Sequence, residues 1–366
     1  MSTRVLVVDD TVVFRRIVSD ALSAVPGVEV VGTAANGKLA MSRMAALQPD
    51  LVTLDIEMPE MNGIEVLEAM ASAGMNAGVI MLSSLTVRGG ELTVRALELG
   101  AFDFLTKPDG GNQEANLAHL RTQLLPMVRA FERRREIRAI LGGGASTQAS
   151  EVRAPAPGAV PVHRPARGLR RTGPPLVLIG VSTGGPGALA KLVPALPGDL
   201  GAPVFIVQHM PAMFTQAMAE SLNKKSSIRV KEAKDGEVAH KNWAYVAPGG
   251  RQMKLAAGPK GEILIIITDD PAENGCRPAV DYLFRSAALH FPGRSVAAIL
   301  TGMGNDGTDG LRMLKRSGCF AIAQDEASCV VFGMPKEAIQ AGVIDTVAPL
   351  GMIGAAIVHS VREVRA

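Results

Sequence analysis

A single serine stands among glycines directly after an apolar run, in the stretch LIGVSTGGPGAL at residues 178–189. Residues 180–184, GVSTG, satisfy the G-x-S-x-G pattern, in which a nucleophilic serine is exposed on the sharp turn between a strand and a helix. The pattern alone is weak, because a serine beside glycines is more often a turn or helix-capping residue. Serine is also a poor nucleophile at neutral pH, so a catalytic Ser182 needs a general base and a group that orients the base.

Two residues elsewhere in the chain have the right types for those partners. His209 follows the apolar run APVFIVQ, 27 residues after Ser182, a spacing that fits one turn, one helix and the next parallel strand. Asp306 lies in the glycine-rich stretch TGMGNDG, which follows the run SVAAIL. Parallel strands bring their carboxyl ends to one rim of a sheet, and a carboxylate bonded to the imidazole holds its tautomer and stabilises the imidazolium. These placements favour a catalytic triad of Ser182, His209 and Asp306.

Nucleotide binding is the main alternative for the glycine-rich turn. A dinucleotide fingerprint needs G-x-G-x-x-G and an acidic residue about 20 residues later, but Ser182 occupies the second glycine position and the next run ends in His209. A Walker loop needs Gly-Lys-Ser/Thr, which this stretch lacks. The chain order Ser, His, Asp also differs from the orders found in α/β-hydrolases, chymotrypsin and subtilisin, so none of these families fits.

A second group of charged residues lies in the first third of the chain. Asp9 and Asp10 end the first apolar run, Asp55 ends the third and Lys107 ends the fifth. In a parallel sheet they share one rim, where neighbouring carboxylates repel one another unless a cation binds between them. Carboxylate oxygens suit Mg²⁺, and Ser83, at the end of the fourth run, could donate a hydrogen bond to a phosphoryl oxygen. The pattern predicts a magnesium and phosphate site.

Short β-branched runs alternate with helical stretches in both halves of the chain, which predicts two doubly wound α/β domains with mostly parallel sheets. In the first half the predicted strands are RVLVV, VEVVGTA, DLVTLD, GVIML and DFLT, and the predicted helices span about 12–24, 37–47, 63–73, 88–98 and 112–139. In the second half the predicted strands are PLVLIG, APVFIVQ, WAYVAP, EILIIIT, SVAAIL, CFAIAQ and VIDTVAP.

Residues 141–173 separate the two halves and lack apolar periodicity of either kind. This segment is rich in Gly, Ala and Pro and holds five arginines against one glutamate, so we expect an interdomain linker. Because the arginines have no interleaved aromatic residues and no reading helix, they do not predict nucleic-acid binding.

The bulk composition is that of a globular protein with two domains: 366 residues, 47% of them hydrophobic and 20% charged. No uncharged apolar run reaches the ~20 residues that span a bilayer, and the N-terminus lacks a signal-peptide pattern. We therefore expect a cytoplasmic protein without membrane insertion. The cysteines have no paired metal-ligand spacing, and we expect Cys276, Cys319 and Cys329 to be ordinary core thiols.

The motifs VLVVDD, LDIEMPEMNG, MLSS and TKP, at these spacings, resemble a response-regulator receiver domain over about residues 1–125. The resemblance implies a flavodoxin-like fold, phosphorylation by a sensor histidine kinase and a bound Mg²⁺. Carried over by motif, the phosphorylated residue is Asp55, and the metal site comprises Asp10, Asp55 and the backbone carbonyl of Glu57, with Asp9 nearby. The residues implied to contact the phosphate are Ser83 and Lys107.

The motifs IGVSTGGP, VQHMPAMFT, GCRPAVDYLFRSAA, LTGMGNDGTDGL and AQDEASCVVFGMPKEAI resemble the catalytic domain of chemotaxis protein-glutamate methylesterase/glutaminases over nearly all of residues 174–366. The resemblance implies hydrolysis of glutamyl methyl esters, and deamidation of glutamine, on chemoreceptors. It also implies that Ser182, His209 and Asp306 are the catalytic residues and that this site needs no metal or cofactor. The candidate donors to the oxyanion are backbone amides at Thr183 and Met303.

The order of the two resemblances predicts a receiver domain at 1–125, a helix tail and linker at 126–173, and a catalytic domain at 174–366. We hypothesise that the receiver covers the substrate path until Asp55 is phosphorylated, because a flexible linker holds it close by. The main rival is a non-enzymatic response regulator whose second domain binds a partner or nucleic acid and does not need Ser182.

We interpret Arg277 and Asp281 as a helix-start ion pair, with contact to an acidic receptor helix as the alternative.

Overall fold

The chain folds into two compact units that divide between residues 137 and 138, and each unit has its own sheet. The computed structural model describes residues 2–108, 110, 112–142 and 173–365. Most of the predicted linker, residues 143–172, lies outside the described residues. Among the helices in the described part of the chain, none is both long enough and apolar enough to cross a membrane.

The first unit is a five-stranded parallel sheet with helices between successive strands. The strands are Thr3–Val8 (β1), Val28–Ala34 (β2), Leu51–Asp55 (β3), Gly78–Ser83 (β4) and Asp103–Thr106 (β5), and the helices are Val12–Ser23 (α1), Gly37–Leu47 (α2), Gly63–Ser72 (α3), Val87–Glu98 (α4) and Gln113–Gly142 (α5). The strand order β2-β1-β3-β4-β5 is the flavodoxin-like order. Strands β1, β3 and β4 are buried almost throughout, as expected for parallel strands that are covered on both faces. The predicted fold class of this half is confirmed.

The topology of this sheet brings two of the predicted carboxylates together. Val8 of β1 pairs with Leu54 of β3, so Asp9 and Asp55 are neighbours at the carboxyl end of the sheet. Gly63, the first residue of α3, packs so close to β3 that a Cβ there would overlap the backbone oxygen of Asp55. This position therefore needs glycine.

The second unit has a seven-stranded sheet in which all adjacent pairs are parallel. Its strands are Leu176–Val181 (β6), Val204–Gln208 (β7), Arg229–Glu232 (β8), Trp243–Val246 (β9), Ser295–Ile299 (β12), Phe320–Gln324 (β13) and Thr346–Ala348 (β14), and a separate hairpin contains Gln252–Ala257 (β10) and Ile263–Thr268 (β11). Its helices are Gly185–Leu192 (α6), Phe214–Lys225 (α7), Val280–His290 (α8), Thr308–Arg316 (α9), Met334–Gln340 (α10) and Leu350–Arg365 (α11), with a 3-10 turn at Val193–Ala195.

The order of the large sheet is β14-β13-β12-β6-β7-β9-β8. The chain leaves β6 toward β7 on one side and later returns to β12 on the other side, so the order reverses at β6. Open α/β sheets bind ligands in the crevice at such a reversal, outside the carboxyl ends of the strands. The glycine-rich turn that follows β6 lies at this crevice.

The hairpin of β10 and β11 differs from the sequence-based prediction. The run EILIIIT was predicted as a strand of a mostly parallel α/β domain, but β11 pairs antiparallel with β10 in a separate two-stranded sheet. β10, which was not predicted, places Met253 and Leu255 in the core with Lys254 between them, a period-2 pattern in a half-buried strand. The prediction also omitted β8, because its sequence RVKE is short and three of its four residues are charged.

Helix α8 connects the hairpin to the rest of the second unit. Its buried positions include Val280, Leu283, Phe284 and Ala287, whose i, i+3, i+4, i+7 spacing makes one apolar face. That face packs against β10 and α9 within a single buried cluster. Burial of each large side chain contributes about 1.5–3 kcal/mol, so the N-terminus of α8 is held firmly at the carboxyl rim.

Candidate active site

Ser182 and His209 occupy equivalent positions at the ends of two adjacent strands. Val181, the last residue of β6, pairs with Gln208, the last residue of β7, and the amide of His209 donates to the carbonyl of Val181 at 3.2 Å. On the other side of β6 the amide of Ser182 donates to the carbonyl of Thr301, just after β12, at 3.0 Å. The serine and the histidine therefore lie side by side on one rim.

The glycines around Ser182 have separate physical roles. Gly184 has a φ of 75°, in the left-handed region that favours glycine, and is followed directly by α6. The amide of Gly185 donates to the carbonyl of Ser182 at 2.7 Å. A Cβ on Gly302 would lie 2.8 Å from the Cβ of Ser182. These contacts confine Ser182 to a sharp turn between strand and helix.

Asp306 holds His209 through the Nε2 atom of its ring. The distance from Nε2 to Oδ2 is 2.7 Å, and the Asp306 side chain is only 3% exposed. Its carboxylate also accepts hydrogen bonds from the amides of Val280 at 2.7 Å and Asp281 at 3.0 Å, and from the side chain of Asn274 at 3.1 Å. Four donors therefore satisfy this buried carboxylate.

The pKa values of the pair are shifted in opposite directions. Burial opposes a charged imidazolium, but the hydrogen bonds to Asp306 and Cys276 outweigh it and raise the pKa of His209 to about 9. Burial favours the neutral acid at Asp306, but the His209 hydrogen bond and its charge hold the pKa of this carboxyl below its usual range. The site therefore stabilises the imidazolium that a general base forms when it accepts a proton.

Because Nε2 of His209 bonds to Asp306, Nδ1, which also contacts Cys276 Sγ at 3.5 Å, is the ring nitrogen that can accept a proton from a nucleophile. In the familiar serine-protease arrangement the carboxylate holds Nδ1 and Nε2 serves as the base, so the two nitrogens exchange roles here. Within the described residues, no hydrogen bond joins the Ser182 hydroxyl to His209. Catalytic hydrogen bonds often tighten only when substrate binds.

Cys276 borders the candidate site, and the prediction that all three cysteines are core thiols is wrong for this one. Cys319 and Cys329 are buried, and burial raises the pKa of Cys319 to about 12. Cys276 is only partly buried, and its Sγ lies 3.5 Å from Nδ1 of His209 and 3.6 Å from the carbonyl oxygen of Asn274.

The predicted oxyanion donors lie on the two loops that flank Ser182. The Thr183 carbonyl accepts a hydrogen bond from the Thr301 hydroxyl at 2.9 Å, which ties the two loops together. The backbone amides of Thr183 and Met303 donate to no other group among the described residues, so both are free to bind an oxyanion. Their role stays a prediction.

Arg277 and Asp281 do not form the predicted ion pair. Asp281 is buried and accepts hydrogen bonds from the amide of Gly310 and from Asn274 at 2.9 Å, whereas Arg277 contacts the carbonyl of Asp269. The two residues separate because the chain enters α8 between them, which turns one side chain into the core and the other toward solvent.

The receiver rim contains the predicted cluster of charges. Asp9, Asp10 and Asp55 each offer a carboxylate oxygen, and these oxygens lie within 4.8 Å of one another. Lys107 Nζ lies 2.7 Å from Asp9 and 2.8 Å from Asp55. Burial and, to a lesser extent, the Asp9 charge raise the pKa of Asp55 to about 6, although Lys107 opposes the shift. The positive charge of Lys107 offsets only one of the three carboxylate charges, so the cluster is suited to bind a further cation.

The other two predicted receiver residues, Ser83 and Glu57, differ in whether they contact Asp55. Ser83 is fully buried; its hydroxyl accepts from Thr93 at 2.7 Å and donates to the Gly89 carbonyl at 3.3 Å, so it is directed toward α4. Within the described chain it has no hydrogen bond to Asp55. The amide of Glu57 donates to Asp55 Oδ1 at 3.4 Å, which places Glu57 beside the cluster.

Sequence reasoning missed Asn274 and Cys276. Both precede α8, in the segment that follows the unpredicted hairpin, and their contacts to Asp306 and His209 span 32 and 67 residues. The available signal was the motif CRPAVDYLF, which begins at Cys276 two residues after Asn274, but residue type alone does not reveal the function of this motif.

Comparison with known proteins matches both units to families. Residues 177–357 match the family described as CheB methylesterase, and residues 5–117 match the response regulator receiver domain. A protein-glutamate methylesterase/protein-glutamine glutaminase of Desulfotalea psychrophila is 51% identical over 360 residues, which cover 98% of each chain. The protein of the same name from Bacillus subtilis is 43% identical over 366 residues, covering 99% of each.

Among solved structures, the second unit is similar to the crystal structure of the Thermotoga maritima CheB methylesterase catalytic domain. The two are 40% identical, the TM-score is 0.50, and the match covers 51% of this chain and 99% of that one.

Proposed function

Because this chain belongs to the CheB methylesterase family, with a response regulator receiver domain before the esterase, we propose that Ser182, His209 and Asp306 carry out its hydrolytic reaction. The enzyme is a protein-glutamate methylesterase and protein-glutamine glutaminase of chemotaxis, and its activity is controlled by phosphorylation. The observation that best supports the triad is the 2.7 Å bond between His209 and Asp306 beside the strand end that carries Ser182.

The reaction begins with proton transfer from the Ser182 hydroxyl to Nδ1 of His209. The serine oxygen attacks the γ-carbonyl of a glutamyl methyl ester, and the imidazolium gives its proton to the departing methoxide, which leaves as methanol. Water then attacks the glutamyl-enzyme by the same route and releases glutamate and Ser182. With glutamine as substrate, the leaving group is ammonia instead of methanol.

Two backbone amides are suited to stabilise the tetrahedral intermediates. The N–H groups of Thr183 and Met303 lie on the loops that flank the nucleophile and are free of other partners in the described structure. One oxyanion donor typically contributes roughly 3–4 kcal/mol to transition-state stabilisation. In this mechanism the buried carboxylate of Asp306 stays ionised and holds the ring of His209.

The receiver unit supplies the regulatory phosphorylation. We assign Asp55 as the residue that takes a phosphoryl group from a sensor histidine kinase, with Lys107 placed to contact the transferred phosphate. The oxygens of Asp9, Asp10 and Asp55 suit Mg²⁺, which would neutralise phosphoryl charge, and Glu57 is adjacent. The Ser83 hydroxyl accepts a hydrogen bond from Thr93, so it must rotate away from Thr93 to contact the phosphate.

The partners follow from this reaction. The substrate side chains belong to chemoreceptors and the phosphodonor is a histidine kinase, so we place the enzyme in the cytoplasm, with no role for nucleic acid or membrane insertion.

We retain residues 1–125 as the receiver, 126–173 as the helix tail and linker, and 174–366 as the esterase. We propose that phosphorylation of Asp55 activates the esterase unit.

Substitution of the nucleophile tests the proposal. Ser182→Ala should abolish methanol release from methylated chemoreceptor while phosphorylation of Asp55 continues. Ser227→Ala is the matched control, because Ser227 is exposed and lies just before the amino end of β8, whereas Ser182 lies at the carboxyl ends of the strands. Normal methanol release by Ser182→Ala would refute the assignment.

A further inference from the structure

We propose that Cys276 and His209 form a binding site for a thiophilic divalent cation, Zn²⁺ in particular, and that occupation of this site inhibits the esterase. The ligand atoms are Sγ of Cys276 and Nδ1 of His209, with water at the remaining positions. Metal binding follows from geometry alone, whereas inhibition rests on the function proposed above for His209.

The spacing of the two ligand atoms already matches that of a bound zinc ion. Zinc binds cysteine sulfur at about 2.3 Å and histidine nitrogen at about 2.0–2.1 Å in tetrahedral geometry, which places sulfur and nitrogen about 3.5 Å apart. The observed distance from Cys276 Sγ to His209 Nδ1 is 3.5 Å. The ion can therefore bind without a large movement of either side chain.

Asp306 provides the support that metal-binding histidines usually have. Such a histidine donates its other ring N–H to a carboxylate, which fixes the tautomer and makes the free nitrogen a better ligand. Asp306 accepts from Nε2 at 2.7 Å, and amides of Val280 and Asp281 hold the carboxylate in turn. This bond leaves Nδ1, which lies 3.5 Å from Cys276 Sγ, as the ring nitrogen that can bind a metal ion.

Ligand type separates this site from the receiver cluster. Two groups of three or more potential ligands occur among the described residues: His209 with Cys276 and Asp306, and the three receiver carboxylates. Sulfur and imidazole ligands favour zinc, whereas carboxylate oxygens favour Mg²⁺. A metal ion can reach the site from the side of Cys276, because this thiol is only partly buried and forms no disulfide.

Binding exchanges protons for a metal ion. The thiol of Cys276 releases its proton to solvent, as does Nδ1 of His209 wherever the imidazole is charged, and the thiolate and the Nδ1 lone pair then bond to Zn²⁺. The proposed mechanism uses that same lone pair to accept the Ser182 proton. A bound ion therefore removes the general base and blocks the first step.

Co²⁺ is the probe for binding, because a cobalt–thiolate bond produces a charge-transfer absorption in the near ultraviolet. We expect the full-length wild type and Ser182→Ala to develop this band, and Zn²⁺ to displace it. Cys276→Ser should lack the band and bind Zn²⁺ at least about tenfold more weakly. Cys276→His should regain Zn²⁺ affinity without the sulfur band, which separates loss of a ligand from loss of folding.

Inhibition is measured separately with methylated chemoreceptor as substrate. Zn²⁺ should inhibit the wild type, a chelator should restore its rate, and Cys276→Ser should need at least about ten times more Zn²⁺ for half-inhibition. Absence of the cobalt band in the wild type, or its persistence in Cys276→Ser, overturns the metal site. A cobalt band without inhibition leaves the metal site standing and overturns Nδ1 of His209 as the base.

Discussion

The side-chain amide of Asn274 donates a hydrogen bond of 3.1 Å to Asp306, the carboxylate that holds His209. The same amide group donates to Asp281 at 2.9 Å, so Asn274 bridges two buried acids that otherwise repel each other. Burial, together with the Asp306 charge, raises the pKa of Asp281 to about 6. Asn274 is therefore a positioning residue for the catalytic carboxylate.

Removal of the Asn274 amide should lower kcat more than it changes KM. Asn274 has a φ of 51°, so Asn274→Gly keeps the backbone conformation and removes only the side chain. We expect kcat to fall by roughly ten- to a hundredfold, since one hydrogen bond to a charged group contributes about 1.5–3 kcal/mol. Asn274→Ala should lose kcat similarly and also lose stability through backbone strain. Steady-state methanol release that is unchanged in Asn274→Gly would contradict this role.

The esterase rate should rise with pH because the base is largely protonated at neutrality. With a pKa of about 9 for His209, roughly one molecule in a hundred has a neutral imidazole at pH 7. We expect kcat/KM to increase about tenfold per pH unit from 7 to 8 and to level off above 9. The measurement uses chelator-treated buffer, with Ser182→Ala to correct for uncatalysed ester hydrolysis.

Cys276→Ala provides the internal comparison for this pH profile. Cys276 is one of the groups that raise the pKa of His209, so its removal should shift the rise in kcat/KM to lower pH. A flat wild-type profile between pH 7 and 9, or no shift in the variant, would be inconsistent with the pKa assigned to His209.

A methyl group at Gly302 should displace the nucleophile. The new Cβ would lie 2.8 Å from the Cβ of Ser182 and would overlap the sulfur of Met334. Overpacking of this kind costs about 1–3 kcal/mol, so Gly302→Ala should lower both the free energy of unfolding in urea and kcat, the latter at least about tenfold. Gly351→Ala is the control, because no atom lies within 4 Å of its added Cβ. Equal activity in the two variants would argue against a confined Ser182.

Phosphorylation should depend on Asp55 and on a divalent metal. With a histidine-kinase phosphodonor and Mg²⁺, the wild type should incorporate phosphate and release methanol faster. Asp55→Asn, or chelation of Mg²⁺, should abolish both changes, because the acceptor or the charge-neutralising ion is lost. Asp20→Asn, an exposed carboxylate on α1, should respond like the wild type. Stable phosphate incorporation into Asp55→Asn would show that another residue is the acceptor.

The sequence predicted the parts of the site that depend on strand ends. Apolar runs followed by Ser182, His209 and Asp55 identify buried parallel strands and their final residues, and a parallel sheet necessarily brings such residues to one rim. The structure places Ser182 beside His209 and Asp55 beside Asp9 for this reason. The flavodoxin-like order of the first sheet and the parallel second sheet follow from the same alternation.

The parts that were not predictable depend on how separate elements pack. Asn274 and Cys276 reach the rim because a hairpin outside the main sheet returns the chain to α8, and no local periodicity encodes that path. The choice of Nε2 rather than Nδ1 for Asp306 is set by the orientation of the His209 ring, which residue type alone does not determine. Ser83 was expected to face the phosphate, but its hydroxyl instead accepts a hydrogen bond from Thr93 on α4 at 2.7 Å.

Reaction with a fluorophosphonate, followed by peptide mass mapping of the full-length protein, tests the central claim most directly. The phosphonyl group should be found on Ser182, in a ratio of about one per chain, and His209→Gln should slow labelling by at least about a hundredfold because the base is lost. Labelling of a different serine, or labelling of the wild type at the same rate as Ser182→Ala, would contradict the account.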